Sequence, residues 1–400
     1  MQTSPSPVDQ TSPKDFSLDR KRELFAYLDA VRGISAVAVL IHHFVLGFCD
    51  LSHKVWESPL RILISGYFAV QVFFVLSGFV LSISFFRSLD QGVLVSAALR
   101  RYFRLMLPVL SSLVFAWILQ STVGFHHRAA ADLMGQAPDS WFHRGAEYLL
   151  SFKESVIQGV YETFFAYTGK RSLNTSLWTM SIELYCSMFV FGFLALCGKL
   201  SRRYLIYAIL FLLLRKVNEN MMTFLFGVML CDFYIVAQRK NKPFRLPWWQ
   251  ASSVILFGLF LGGTPLGWMT EHLGFAFPAT KDWPRFGAFL LLVGVVGSPI
   301  LQRFLQLRPL VWLGKVSFSV YLLYWPILVS IISSLYIQLR NHGWEHRGAI
   351  WLLFGIYFLL TMILAQFFSR YVDEQSIRFA RWAEGWFTGN RRLLGSIPKP

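Results

Sequence analysis

The sequence predicts an all-α integral membrane protein of about ten transmembrane helices, with both termini cytosolic. Three observations carry that expectation. The 400 residues are 55% hydrophobic and only 15% charged, where a soluble globular domain is about a quarter charged. The apolar residues gather into runs close to the ~20 residues that a bilayer requires. The basic residues fall in short clusters between those runs. The mean hydropathy is +0.48, and 39 Phe, 15 Tyr and 14 Trp suit lipid-facing and interfacial positions.

The runs occupy residues 27–48, 62–86, 102–121, 175–197, 202–215, 218–238, 249–269, 284–304, 312–337 and 347–371. The fifth is short and has basic flanks. Residues 1–26 form a polar tail without the apolar core of a cleaved signal peptide, so the first run reads as an uncleaved anchor. With that tail in the cytosol, every inner segment is basic: Arg20, Lys21 and Arg22; Arg100, Arg101 and Arg104; Lys199, Arg202 and Arg203; Arg239, Lys240 and Lys242; Arg303 and Arg308. The positive-inside bias then gives an even number of crossings. The central domain is 27–371, with an outer loop at about 122–173 that contains an amphipathic stretch from Glu147 to Tyr167. That stretch reads as a surface-lying helix or a lid. Residues 372–400 form an amphipathic cytosolic tail.

These patterns exclude several classes. The net charge of +16 is spread through short loops and not gathered on a polar domain, so nucleic acid is not a partner; the lipid bilayer is. The four cysteines have no metal or redox spacing and three lie in apolar runs, so no metal is expected. No internal repeat is visible, against an inverted-repeat transporter. Neither a G-x-S-x-G elbow nor a P-loop occurs.

Ionisable residues inside the apolar runs mark the site. Arg32 and His43 are eleven residues apart, which returns them to nearly one helix face about 16 Å apart along the axis. Charged groups at that depth are costly and point to function. Glu183, in the fourth run, comes to a depth comparable with His43, and a carboxylate would orient the imidazole as a base. Asp29 lies one turn before Arg32. His42 points about 100° around the helix from His43. Arg101 and Arg104 share a face at the cytosolic mouth of the third run, where forked guanidiniums suit phosphate. Ser77 and Gly78 offer a hydroxyl and a close helix approach in the second run. Asn174-Thr175-Ser176 reads as a glycosylation sequon beside the membrane.

Five segments resemble the acyltransferase type 3 family of integral membrane acyltransferases. They are Leu28-Asp29-Ala30-Val31-Arg32-Gly33 through His43-Phe44; Gln71 through Ser77-Gly78-Phe79; Arg101-Tyr102-Phe103-Arg104; Leu177-Trp178-Thr179-Met180-Ser181-Ile182-Glu183; and Leu313-Gly314 through Tyr324-Trp325-Pro326. The resemblance covers nearly the whole chain. It departs at Tyr324, where the family often has His, at Thr179 in place of Ser, and in the doubled His42-His43.

The resemblance implies ten spans, an acyl-CoA co-substrate, acetyl-CoA foremost, and O-acylation of a hydroxyl, with no permanently bound cofactor. The expected catalytic set is His43, Glu183, Asp29 and Arg32. Arg101, Arg104 and Ser77 are expected to hold the donor, and Trp178, His42 and Ser181 the acceptor. The compact form resembles fungal members that acylate terpenoid or polyketide alcohols, in the endoplasmic reticulum or another endomembrane. Acetylation of cell-surface carbohydrate, and a proton-coupled transporter or flippase, remain as alternatives.

Overall fold

The computed structural model describes residues 25–49, 58–144, 149–265 and 282–389, and every regular element among them is a helix. Most of the N-terminal tail, the end of the seventh predicted run (266–269), the first two residues of the amphipathic stretch at Glu147 and the tail from 390 lie outside the described residues. The bundle is built from α1 (Ala26–Phe48), α2 (Gly66–Ser88), α3 (Gly92–Thr122), α4 (Trp178–Cys197), α5 (Arg203–Val217) and α6 (Glu219–Arg239). It continues with α7 (Trp248–Gly263), α8 (Trp283–Gly297), α9 (Pro299–Leu305), α10 (Arg308–Ile327), α11 (His346–Phe368) and α12 (Glu374–Thr388).

By length and composition, seven helices among the described residues can cross a bilayer, or eight if the bent α8–α9 pair is one span. The predicted number was ten. The difference lies in α5 and α7, which at 15 and 16 residues fall short of the ~20 needed. The α8–α9 bend of 95° has a local cause. Ser298 precedes Pro299, which forces it out of the helical region to φ −105, ψ 99. Its hydroxyl then caps α9 by accepting from the Leu301 N–H at 3.3 Å.

Small residues decide which helices touch. A side chain on Gly33 would overlap the backbone of Leu313 and Gly314, so α1 and α10 meet backbone to backbone. Gly78 and Gly227 do the same for α2 and α6. Without water to drive association, such close van der Waals contact is a main source of helix pairing in lipid. Buried charges are paired across helices: Arg203 forks onto Asp232 at 2.6 and 2.9 Å, and Arg285 meets Glu219 at 2.6 Å. Unpaired, such groups would be strongly destabilising.

Pro326 shapes the entry to α4. Having no N–H, it leaves the carbonyl of Leu322, four residues back, without its helical donor. Asn174 supplies one, donating from Nδ2 to that oxygen at 2.8 Å. Its Oδ1 accepts from the Ser176 N–H at 3.2 Å, opening the turn into α4. Asn174 is fully buried, so the sequon is a structural joint and is closed to glycosylation in the folded chain.

The segment from Phe152 runs antiparallel along α3: Phe152 meets Trp117 edge to face at 5.0 Å, Gly159 sits against the Leu110 backbone, and Tyr102 donates to the Val160 carbonyl at 2.5 Å. It is one helical run, Phe152 to Phe165, with Phe152, Tyr161 and Phe165 exposed on the side away from α3. Glycine at 159 permits the close approach that buries this segment against α3.

α11 runs through a π-helical turn, Ser369–Asp373, directly into α12, without a break at 371. α12 packs on α3 through Phe103, whose ring lies 5.8 Å from Phe379 and 6.0 Å from Phe387, and through Arg100–Glu384 at 3.3 Å.

Candidate active site

A cavity of about 290 Å³ opens between α1, α2, α3, α4 and α10. Arg32, Arg101 and Arg104 line it, together with Ser77, Thr179, Glu183, Ser317 and Tyr321. Helix periodicity explains the set. Thr179, Glu183 and Ser187 recur every four residues on one stripe of α4, and Arg101 and Arg104 are one turn apart on α3.

Each arginine is held by one carboxylate. Arg32 Nη1 donates to Asp29 Oδ1 at 3.0 Å on its own helix. Arg101 Nη2 donates to Glu183 Oε2 at 2.5 Å, and its Nε to Ser187 Oγ at 2.8 Å. Arg104 Nη1 donates to both Asp373 Oδ1 and Ser376 Oγ at 2.5 Å. Glu183 is completed by the Ser77 hydroxyl, which donates to Oε1 at 2.7 Å. Among the described residues, these bonds leave donor nitrogens on all three guanidiniums unused. Of the three acids, only Glu183 lines the cavity, so its wall carries three positive groups against one negative. Such a surface suits a phosphate or another anion.

His43 lies apart from this cluster, eleven residues further along α1 and about 16 Å up the axis. It is not paired with Glu183. Its Nδ1 bonds to the Val39 carbonyl at 2.8 Å, which requires Nδ1 to carry the proton and leaves Nε2 as the lone-pair nitrogen of the neutral ring. Asp29 does not reach it either, being engaged with Arg32. The orienting group is a backbone carbonyl one turn back, available to any histidine on a helix, which is why carboxylate-seeking reasoning passed over it.

The imidazole sits between Trp141, at 4.8 Å between centroids, and Tyr324, at 5.0 Å. Trp141 comes from the segment ahead of the helical run that starts at Phe152, so that segment covers His43. Tyr324 leads back to the cavity. Its ring is 6.0 Å from Tyr321, whose hydroxyl donates to the Ser176 carbonyl at 2.6 Å and pairs with Thr179 Oγ1 at 2.8 Å. A line of aromatic side chains on α10 thus joins the arginine cavity to the histidine.

The three residues expected to hold the acceptor lie outside the arginine cavity. His42 Nδ1 bonds to the Ile64 carbonyl at 2.6 Å and its ring packs on Gly66, tying α1 to the start of α2. Trp178 is exposed. Ser181, two residues and about 200° from Glu183, donates back to the Trp178 carbonyl at 3.2 Å. None of the three lines the cavity. Sequence reasoning missed Tyr321, Ser187, Asp373 and Ser376. The last two stand one turn apart on an amphipathic helix, an acid and a hydroxyl on one face, which is a readable signal.

Among the described residues, no group of three or more His, Cys, Asp or Glu is arranged to hold a metal ion.

The chain is similar to the O-acetyltransferase PaAT-1 of Phomopsis amygdali, with 27% identity over 436 aligned positions that cover 94% of this chain and 86% of that protein. It is also similar to the acyltransferase clz18 of Cochliobolus lunatus, with 22% identity and 89% and 95% covered. No solved structure matches it. The acyltransferase domain (Acyl_transf_3) matches residues 25–370, an interval that contains the three arginines, Glu183 and His43, and the chain belongs to that family of membrane acyltransferases.

Proposed function

We propose that the protein is an O-acetyltransferase that moves an acetyl group from acetyl-CoA to the hydroxyl of a small natural-product alcohol, a terpenoid or polyketide. The observation that carries this reading is the cavity lined by three guanidiniums and joined by Tyr321 and Tyr324 to a histidine with an open Nε2. The Arg32 end of the bundle faces the cytosol of an endomembrane such as the endoplasmic reticulum. The donor's phosphates rest on Arg101 and Arg104, and the thin pantetheine arm passes Ser77 and Tyr321. The thioester carbonyl then lies beside His43.

His43 Nε2 takes the proton from the acceptor hydroxyl as its oxygen bonds to the carbonyl carbon. The carbon–sulfur bond breaks, and the thiolate leaves with the proton that His43 gives back, as CoA-SH. Arg32 screens the negative charge of the donor within the bundle. Family membership in an acyltransferase family argues for a transferase over a proton-coupled carrier. The apolar, aromatic lining beside His43 favours a hydrophobic alcohol over a cell-surface carbohydrate.

The test is mass spectrometry of hydroxylated terpenoids and polyketides incubated with the purified protein and acetyl-CoA. A gain of one acetyl group with stoichiometric CoA release is expected. CoA-independent product, or no acetylated product from any alcohol or sugar supplied, would sink the reading.

A further inference from the structure

The family match ends at residue 370, yet Arg104 is held by two residues beyond it. Asp373 closes the π-helical turn that joins α11 to α12, and Ser376 lies one turn further on. A π-helical turn inserts one residue into the helical ladder and re-aims the side chains that follow; such turns are frequent at functional sites. Both contacts to Arg104 fall on one nitrogen, Nη1, at 2.5 Å each. The Asp373 side chain is mostly buried, 12% exposed, against 28% for Arg104. Ser376 in turn donates to the Asp373 carbonyl at 2.7 Å. The Phe318 ring packs over the guanidinium carbon at 5.8 Å.

We propose that Asp373 and Ser376 are positioning residues for the donor site, and that α12 is a working part of the transferase. The inference rests on the reading of the arginine cavity as the acetyl-CoA site. A carboxylate that competed with an incoming phosphate would take the paired face of the fork, Nε with Nη2 or Nη1 with Nη2. Here the acid and the hydroxyl together take a single corner from behind, and Nε and Nη2 keep their donors. A flexible arginine loses rotamer freedom when it grips an anion. Tethering one corner removes that cost in advance and leaves the remaining donors for the ligand. Asp29 on Arg32 repeats the device with one nitrogen, Nη1. Asp373, unlike Asp29, comes from a separate element, so the order of Arg104 depends on α12 being docked against α3.

The experiment is equilibrium binding of radiolabelled acetyl-CoA to the purified full-length protein in detergent, with acetyl-CoA as the probe. Asp373→Asn is expected to weaken binding about fivefold to tenfold, the scale of one charge-assisted hydrogen bond. Asp373→Glu should recover most of the loss. In the double variant Arg104→Ala/Asp373→Asn, binding should be no weaker than in Arg104→Ala alone, because Asp373 acts through Arg104. A scaffold role would instead give losses that add. Additive losses, or wild-type binding by Asp373→Asn, overturn the proposal. If Asp373→Asn does not fold, Ser376→Ala, which removes a neutral partner, carries the same test through the same cycle with Arg104→Ala. Wild-type protein that does not bind acetyl-CoA, or Arg104→Ala that binds at full strength, overturns the donor-site reading itself.

Discussion

Glu183 and Arg101 form an ion pair at 2.5 Å inside the bundle, and that pair takes Glu183 out of reach of His43. The carboxylate therefore belongs to the arginine cavity. Glu183→Gln should raise the KM for acetyl-CoA while changing kcat less. Steady-state kinetics over acetyl-CoA concentration check this. A collapse of kcat at unchanged KM would return Glu183 to the base.

The same pair bears on stability. Removing either charge alone strands the other in the bundle, at a cost of about 3–5 kcal/mol. Glu183→Ala and Arg101→Ala should each lower the unfolding midpoint in detergent, and the double variant should be less damaged than the sum. Thermal or denaturant melts of the four proteins close the cycle.

His43 is predicted to act in the chemical step and not in donor binding. His43→Ala should reduce acceptor-dependent CoA release by about 10²–10⁴-fold, the usual worth of a general base. Acetyl-CoA affinity should stay within about twofold, since on the proposed reading the phosphates sit on the arginines. Thiol release and ligand binding measured on one preparation separate the two. Full activity in His43→Ala would remove it from the mechanism.

Trp141 covers one face of the His43 ring. Truncating it admits water to the base. Trp141→Ala should raise acceptor-independent hydrolysis of acetyl-CoA relative to transfer, because exclusion of water is what suppresses that side reaction. The ratio of free acetate to acetylated product is the readout, and an unchanged ratio would show that Trp141 does not shield the site.

Asn174 holds the carbonyl that Pro326 leaves without a donor. Asn174→Ala should cost about 1–3 kcal/mol, the penalty of a buried unsatisfied polar group. The wild-type protein expressed in a glycosylating host should show no endoglycosidase shift traceable to this position. A glycan found on Asn174 would contradict its burial.

Much of this was written along the chain. Long apolar runs dictate helices, because a backbone in lipid must satisfy its own hydrogen bonds. Ionisable residues within those runs point to a candidate site, since their burial is costly without a use. Arg32, Arg104 and Glu183 were legible in this way, and the structure gathers them with Arg101 and Ser77 at one cavity.

Which of those charges meet is a different matter. One-dimensional spacing gives depth and face on a single helix, but not the rotation of one helix about its axis against another. That rotation is set by backbone contacts such as Gly33 with Gly314 and Gly78 with Gly227, where the close approach leaves little freedom. It gave Glu183 to Arg101, left His43 with a carbonyl of its own helix, and brought Asp373, more than 260 residues away in sequence, onto Arg104. The sequence alone determined that this is a helical membrane protein with charge buried for a purpose. The tertiary structure alone decided how those charges are paired, because pairing depends on packing between helices that local sequence does not encode.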